Sequence, residues 1–285
     1  MTDHSGTHRP WRVASILNSH PIAAFFTLAV TISWGLWIPL FVAFPSATSV
    51  VMIPGAFGPA LAAVAVLRSQ GKSVRTWVAD GVDPQISKRW YGVALGLPLG
   101  LAVVLGIGLV IGLGELSTDR LSRAVAMYPV LVVILSVLGG GQEEFGWRGF
   151  ALPRLQNRYD ALTASVIIGV VWAGWHVPAF VFEIPGYTGS FALYTLLVVG
   201  VSIILTWLYN RTDGNVLVAM LFHGGINAAP SVGVAFVSES STAAVSPYPI
   251  LVTAVWLVAL VLMFRYGHEA IGNSVGTTVR QFGSS

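Results

Sequence analysis

The chain contains no cysteine, and charge is nearly as scarce: of 285 residues, 15 are Lys or Arg and 12 are Asp or Glu. Without cysteine there is no disulfide and no thiolate to act as nucleophile or metal ligand, and the redox compartment leaves no mark. Charged residues make up 9% of the chain, against about a quarter in soluble globular proteins. That shortage excludes an ordinary soluble domain. The net charge is only +3, and the basic residues are spread over loops rather than gathered in a patch, which excludes nucleic acid as a partner. Internal repeats, linkers and low-complexity segments are also missing, so residues 1–285 are expected to form a single membrane-embedded domain.

What fills the chain is apolar: 55% of residues are hydrophobic, with a mean hydropathy of +0.75. Runs long enough to cross a hydrocarbon core of about 30 Å recur along it. The pattern predicts an all-α fold, a polytopic membrane helical bundle of about eight transmembrane helices in the lipid bilayer. The expected spans are Ile22–Phe44, Val50–Leu67, Tyr91–Leu113, Met127–Leu152, Leu162–Phe182, Ser190–Tyr209, Asn215–Val237 and Pro249–Phe264. A mostly polar stretch of about 21 residues precedes the first run, which is too long for the h-region of a signal peptide, so the first span is expected to stay as an anchor.

Loop charge sets the expected orientation. Thirteen basic residues fall on the side of the termini, and only Arg120 and Arg123 fall on the other. The positive-inside rule then makes this a multi-pass cell-membrane protein with both termini in the cytoplasm. Trp90, Tyr91, Trp207 and Tyr209 fit an aromatic belt at the interface. The loop "SVRTWVADGVDPQISKRW" has the composition of a short interfacial helix.

Ionisable groups within the spans are restricted to three helices. The fourth carries Glu143, Glu144 and Arg148, the fifth His176 and the seventh His223. An ionisable side chain at membrane depth is costly, and its presence points to function. At 1.5 Å per residue, Glu143, His176 and His223 lie roughly 14, 20 and 12 Å from the cytoplasmic ends of their helices. They are therefore expected to share one cavity, nearer the cytoplasmic face. Glu144 and Arg148 stand at i and i+4 in the favoured order for an ion pair. Glu143 points about 100° away and is free to face another helix. Trp172 lies one turn before His176, where it can pack against the imidazole. His223 and Asn227 share a helix face. Gly139, Gly140 and Gly141, with Gly224 and Gly225, leave room for close helix approach or for a substrate backbone.

Three ordered motifs then come into register. "EEFGWR" (Glu143 to Arg148) has the form Glu-Glu-x-x-x-Arg, "WAGWH" (Trp172 to His176) an aromatic-x-x-x-His form, and "HGGIN" (His223 to Asn227) the form His-x-x-x-Asn. In this order, with a motif core over about 127–237, the chain resembles the CPBP family, the CAAX-protease and bacteriocin-processing intramembrane proteases. One departure is Trp172, where phenylalanine is the more familiar residue; an aromatic ring is kept beside His176. The resemblance implies hydrolysis of a peptide bond in a membrane-associated protein or peptide. Glu143 would activate water, His176 would hold or share it, and His223 with Asn227 would form an oxyanion hole. Glu144, Arg148 and Trp172 would support them.

No cofactor is required in that mechanism. The alternative is a divalent metal, zinc by ligand type, on Glu143, His176 and His223. A His-Glu-x-x-His pair is absent, and the two histidines come from different helices. Two other functions stay open: a non-catalytic bacteriocin-immunity or scaffold protein of the same fold, and a proton-linked transporter. The transporter predicts paired broken helices or an inverted repeat, and neither is read in the sequence. The CAAX name does not establish a prenylated substrate.

Overall fold

A computed structural model describes residues 17–187, 189–242 and 246–270. It is built from helices, with no strand among the described residues. Eight helical segments are long and apolar enough to cross a membrane: α1 Pro21–Ala43, α2 Pro45–Ser69, α3 Lys88–Leu113, α4 Thr118–Gln156, α5 Ala161–Val181, α6 Phe191–Arg211, α7 Val216–Phe236 and α8 Tyr248–Gly267. The protein is an all-α polytopic membrane bundle. Its outer surface carries exposed Val, Ile, Leu and Phe side chains, including Ile111, Val133, Val261 and Phe264, as a lipid-facing surface requires.

The expected helices were continuous; three of the real ones are interrupted. In α2 the helix Thr48–Ala56 gives way at Phe57 to Gly58–Ser69. In α5 the main helix ends at Trp175 and a short helix, Val177–Val181, follows with Pro178 in its first turn. The largest departure is in α4. The helix stops at Leu138, Gly140 takes φ +122°, a 3-10 turn covers Gly141–Glu143, and a π-helical turn covers Trp147–Ala151. Only glycine adopts such a φ without strain. The motif read as a stretch of regular helix therefore sits on a break.

Two prolines explain hydrogen bonds that would otherwise look incidental. Pro59 cannot donate to the carbonyl of Gly55, four residues earlier, and Ser33 of α1 donates to it at 2.7 Å. Pro153 likewise leaves the carbonyl of Gly149 without a helical donor, and the Trp77 indole supplies one at 3.1 Å. Trp77 is buried on the helix Val74–Gly81, which Ser73 caps by accepting from the amide of Thr76. The short helix expected in this loop exists, and it docks onto the π-helical turn.

Lipid tails are as apolar as leucine, so helix association here rests on close packing and hydrogen bonds rather than on removal of apolar surface from water. Small residues provide the approach. A Cβ on Gly224 would meet Ser136 Oγ at 2.3 Å and one on Gly225 would meet Pro98 at 3.0 Å, so α7 lies tightly between α4 and α3. Gly169 of α5 touches the backbone of Val199 on α6 in the same way. The centre of the bundle is α6 with α7. Tyr209 is fully buried and Trp207 nearly so; these two are packing residues, not members of an interfacial belt.

Loop contacts sort the ends of the bundle. At one end the Ser117 amide donates to the Phe236 carbonyl, and the Tyr248 hydroxyl donates to the Gly186 carbonyl. At the other, Asn215 Nδ2 donates to the Asp83 carbonyl and Asn18 Nδ2 to the Ser69 carbonyl.

Candidate active site

The break in α4 sets the acidic pair pointing in different directions. Both Glu143 and Glu144 are buried. Glu143 Oε2 accepts hydrogen bonds from the indoles of Trp147 at 3.2 Å and Trp172 at 2.9 Å. Both donors use the same oxygen, and Oε1 takes neither. Glu143 is thus held at one end and presents the other to a cavity of about 820 Å³, which His176, His223, Asn227 and Trp172 also line. The structure brings together every side chain singled out in the sequence as a candidate for the chemistry.

Glu144 faces away from the cavity into the bundle. Arg148 Nη1 lies 3.0 Å from its Oε2, with both side chains fully buried, and also donates to Oε1 at 3.1 Å. Arg148 Nη2 donates to Ser202 Oγ at 3.0 Å, and that hydroxyl donates in turn to the Ser165 carbonyl at 2.8 Å. The guanidinium also stacks over the Trp172 ring, 5.2 Å from its centroid. Four residues, Glu144, Ser202, Trp172 and, through Ser202, Ser165, are thus tied across three helices by this one cation.

The histidines are oriented by acceptors. His223 Nδ1 is 2.7 Å from Glu144 Oε1, and His176 Nδ1 is 3.0 Å from the Trp172 carbonyl. A carbonyl oxygen accepts only, and a carboxylate paired with arginine does the same. The proton of each neutral imidazole therefore sits on Nδ1 and leaves Nε2 as a lone pair. His223 Nε2 then donates only when the ring carries both protons. Asn227 Nδ2 donates to the Gly139 carbonyl at 2.7 Å, and its second hydrogen remains. A Cβ on Gly140 would lie 2.6 Å from His223 Nε2 and 2.7 Å from Asn227 Nδ2. These two groups therefore converge on Gly140, where the absence of a side chain leaves the backbone bare.

His176 sits among aromatics: Tyr187 stacks on it at 5.2 Å, and Trp175 and Tyr194 meet it edge-on at 4.7 and 5.4 Å. Trp172 makes the expected ring contact with His176, centroids 6.1 Å apart; its backbone carbonyl also holds His176 Nδ1, and its indole serves Glu143. Trp147, Ser202, Ser165, Tyr187 and Tyr194 were not foreseen as site residues. Trp147 lay within the first motif, but a serine or tyrosine in an apolar chain gives no distinguishing signal.

Among the described residues no three His, Asp or Glu side chains converge into a set that could hold a metal ion, and Glu143, His176 and His223 do not close into a ligand triangle.

Fold and site together define an integral-membrane helical bundle that encloses a carboxylate, two imidazoles and an amide around one cavity. Residues 125–229, which contain all three motifs, match the family model described as Type II CAAX prenyl endopeptidase Rce1-like, within the CPBP family that the motifs resemble. A CAAX prenyl protease 2 of Methanococcus maripaludis is 33% identical over 105 residues, covering 34% of this chain and 39% of that protein. The likeness covers well under half of that relative's length.

Proposed function

We propose that this protein is an intramembrane endopeptidase that hydrolyses a peptide bond in a membrane-associated protein or peptide through water activated by Glu143. The observation that carries the reading is the shared cavity: Glu143, His176, His223 and Asn227 all line it, although they come from three spans. Isolated burial of Glu143, His176 and His223 would cost roughly 1–3 kcal/mol or more each, so convergence on one chamber calls for a common purpose.

The chemistry follows from the hydrogen bonds. Glu143, anchored through Oε2, uses Oε1 to take a proton from water as its oxygen attacks the substrate carbonyl carbon. His176 Nε2, a lone pair in the neutral tautomer, accepts a hydrogen bond from the same water and fixes its position. The carbonyl oxygen becomes an oxyanion as the C–O bond forms. Asn227 Nδ2 is a standing donor for it, beside His223 Nε2, which converges with Asn227 on Gly140. When the C–N bond breaks, Glu143 returns the proton to the leaving amine. Glu144 takes no part in these transfers; it holds His223 and Arg148. The mechanism needs no cofactor.

A comparison of membrane-protein N-termini from cells carrying the wild type or Glu143→Gln tests the proposal. New termini within or beside apolar segments that depend on Glu143 are expected. Identical sets of termini would overturn it.

A further inference from the structure

The depth estimates put the cavity nearer the cytoplasmic face; the lining residues place its mouth at the other end. Ser49 at the start of α2, Gly186 and Gly189 between α5 and α6, and Ser246 and Pro247 between α7 and α8 all line it. None of the loops at the opposite end (residues 70–87, 157–160 and 212–215) contributes a lining residue. The floor, by contrast, is deep. From His223 to the end of α7 at Phe236 is a climb of roughly 20 Å at 1.5 Å per residue. The cavity is therefore a shaft that starts below mid-depth and opens at the end of the bundle away from the basic loops. Among the described residues that end carries two basic residues, Arg120 and Arg123, against nine at the other, leaving out the buried Arg148, and the positive-inside rule then places it on the outer face.

We infer that the cavity is loaded from the extracytoplasmic face, and that what it takes is an uncharged, apolar polypeptide segment. This rests on the peptidase reading above. An extended chain advances about 3.3–3.6 Å per residue, so roughly six residues must enter the shaft before a peptide bond reaches Glu143. The walls those residues meet are Met52, Ile53, Leu138, Leu197 and Val201 with the Tyr187 and Tyr194 rings. Among the described residues the lining has no Lys or Arg, and no carboxylate besides Glu143. Charged side chains in the entering segment would have no partner there, and a free terminal carboxylate would find no cation. The occupant is thus an apolar stretch presented outside the membrane, as at the end of an exported peptide or the outer end of a transmembrane helix.

The natural absence of cysteine makes this directly measurable. Single cysteines at Ser49, Ser246 and Ile226 report the mouth (two positions, should one disturb folding) and the floor beside Asn227. Ser87, exposed at the basic end, is the control. With a membrane-impermeant maleimide, S49C, S246C and I226C should label in intact cells as fully as after permeabilisation, and S87C at least tenfold less until permeabilised. Attaching a bulky maleimide to S246C should then lower cleavage of an apolar peptide at least tenfold. Labelling of I226C only after permeabilisation, or full cleavage with the mouth blocked, would overturn the inference. Labelling needs no turnover, so an inactive protein with the expected pattern would refute the peptidase while leaving the outward opening intact.

Discussion

Removing Glu144 should damage both the fold and the chemistry, and the two losses can be separated. Glu144 and Arg148 are fully buried and 3.0 Å apart, and the same carboxylate accepts from His223 Nδ1 at 2.7 Å. Glu144→Ala leaves the Arg148 guanidinium with one neutral partner, Ser202, and the face of Trp172. Breaking a buried pair in this way costs about 3–5 kcal/mol. The lost His223 bond would by itself cost roughly 1.5–3 kcal/mol, but both act through one carboxylate, so the two do not add. A drop in melting temperature on the order of 10 °C is expected in detergent. The double variant Glu144→Leu with Arg148→Met removes both charges and keeps the volume, and such replacements are near neutral or stabilising. It should regain most of the lost stability. It should stay inactive, because nothing then holds His223. Thermal unfolding of the two variants, alongside turnover of an apolar peptide, checks both halves. A double variant no more stable than Glu144→Ala would refute the claim that an unpaired buried arginine causes the loss.

Gly140→Ala adds a Cβ where φ is +122° and where His223 Nε2 is 2.6 Å away; it should lose activity and about 1–3 kcal/mol of stability. Gly174→Ala, with nothing within 4 Å of the new atom, should match the wild type in both assays. Trp172→Phe keeps the ring but removes one of the two indole donors to Glu143; a charge-assisted bond of about 1.5–3 kcal/mol predicts a rate loss of roughly ten- to a hundredfold with little change in melting temperature. Chelation should leave turnover unchanged, and a loss restored by added zinc would contradict the metal-free mechanism.

The fold was legible for a simple reason: spans without charge announce themselves, and all eight appear, although the fourth begins at Thr118, nine residues before the expected Met127. The candidate site residues were legible by the same contrast, because Glu143, His176 and His223 are ionisable groups in an apolar chain. Their partners were not. Trp172 reaches Glu143 across 29 positions, Arg148 reaches Ser202 across 54, and His223 reaches Glu144 across 79. Local spacing carries no information on contacts so remote. The three glycines before Glu143 did mark an irregularity, yet their composition suits a packed helix as well as a break. Only the backbone shows that Gly140 lies in the positive-φ region. The direction of the cavity depends on which loop residues line its mouth, and helix-by-helix depth estimates do not capture that.

The central claim is that Glu143 is the base. Glu143→Gln is the cleanest probe, because both indoles donate to one oxygen and a glutamine can present its carbonyl there, with the amide in place of Oε1. The fold should be kept, while the ability to take a proton is lost. With purified protein reconstituted in liposomes and a fluorogenic apolar peptide, the account predicts an unchanged melting temperature and turnover reduced by about 10²–10⁴. Turnover by Glu143→Gln equal to the wild type would contradict it.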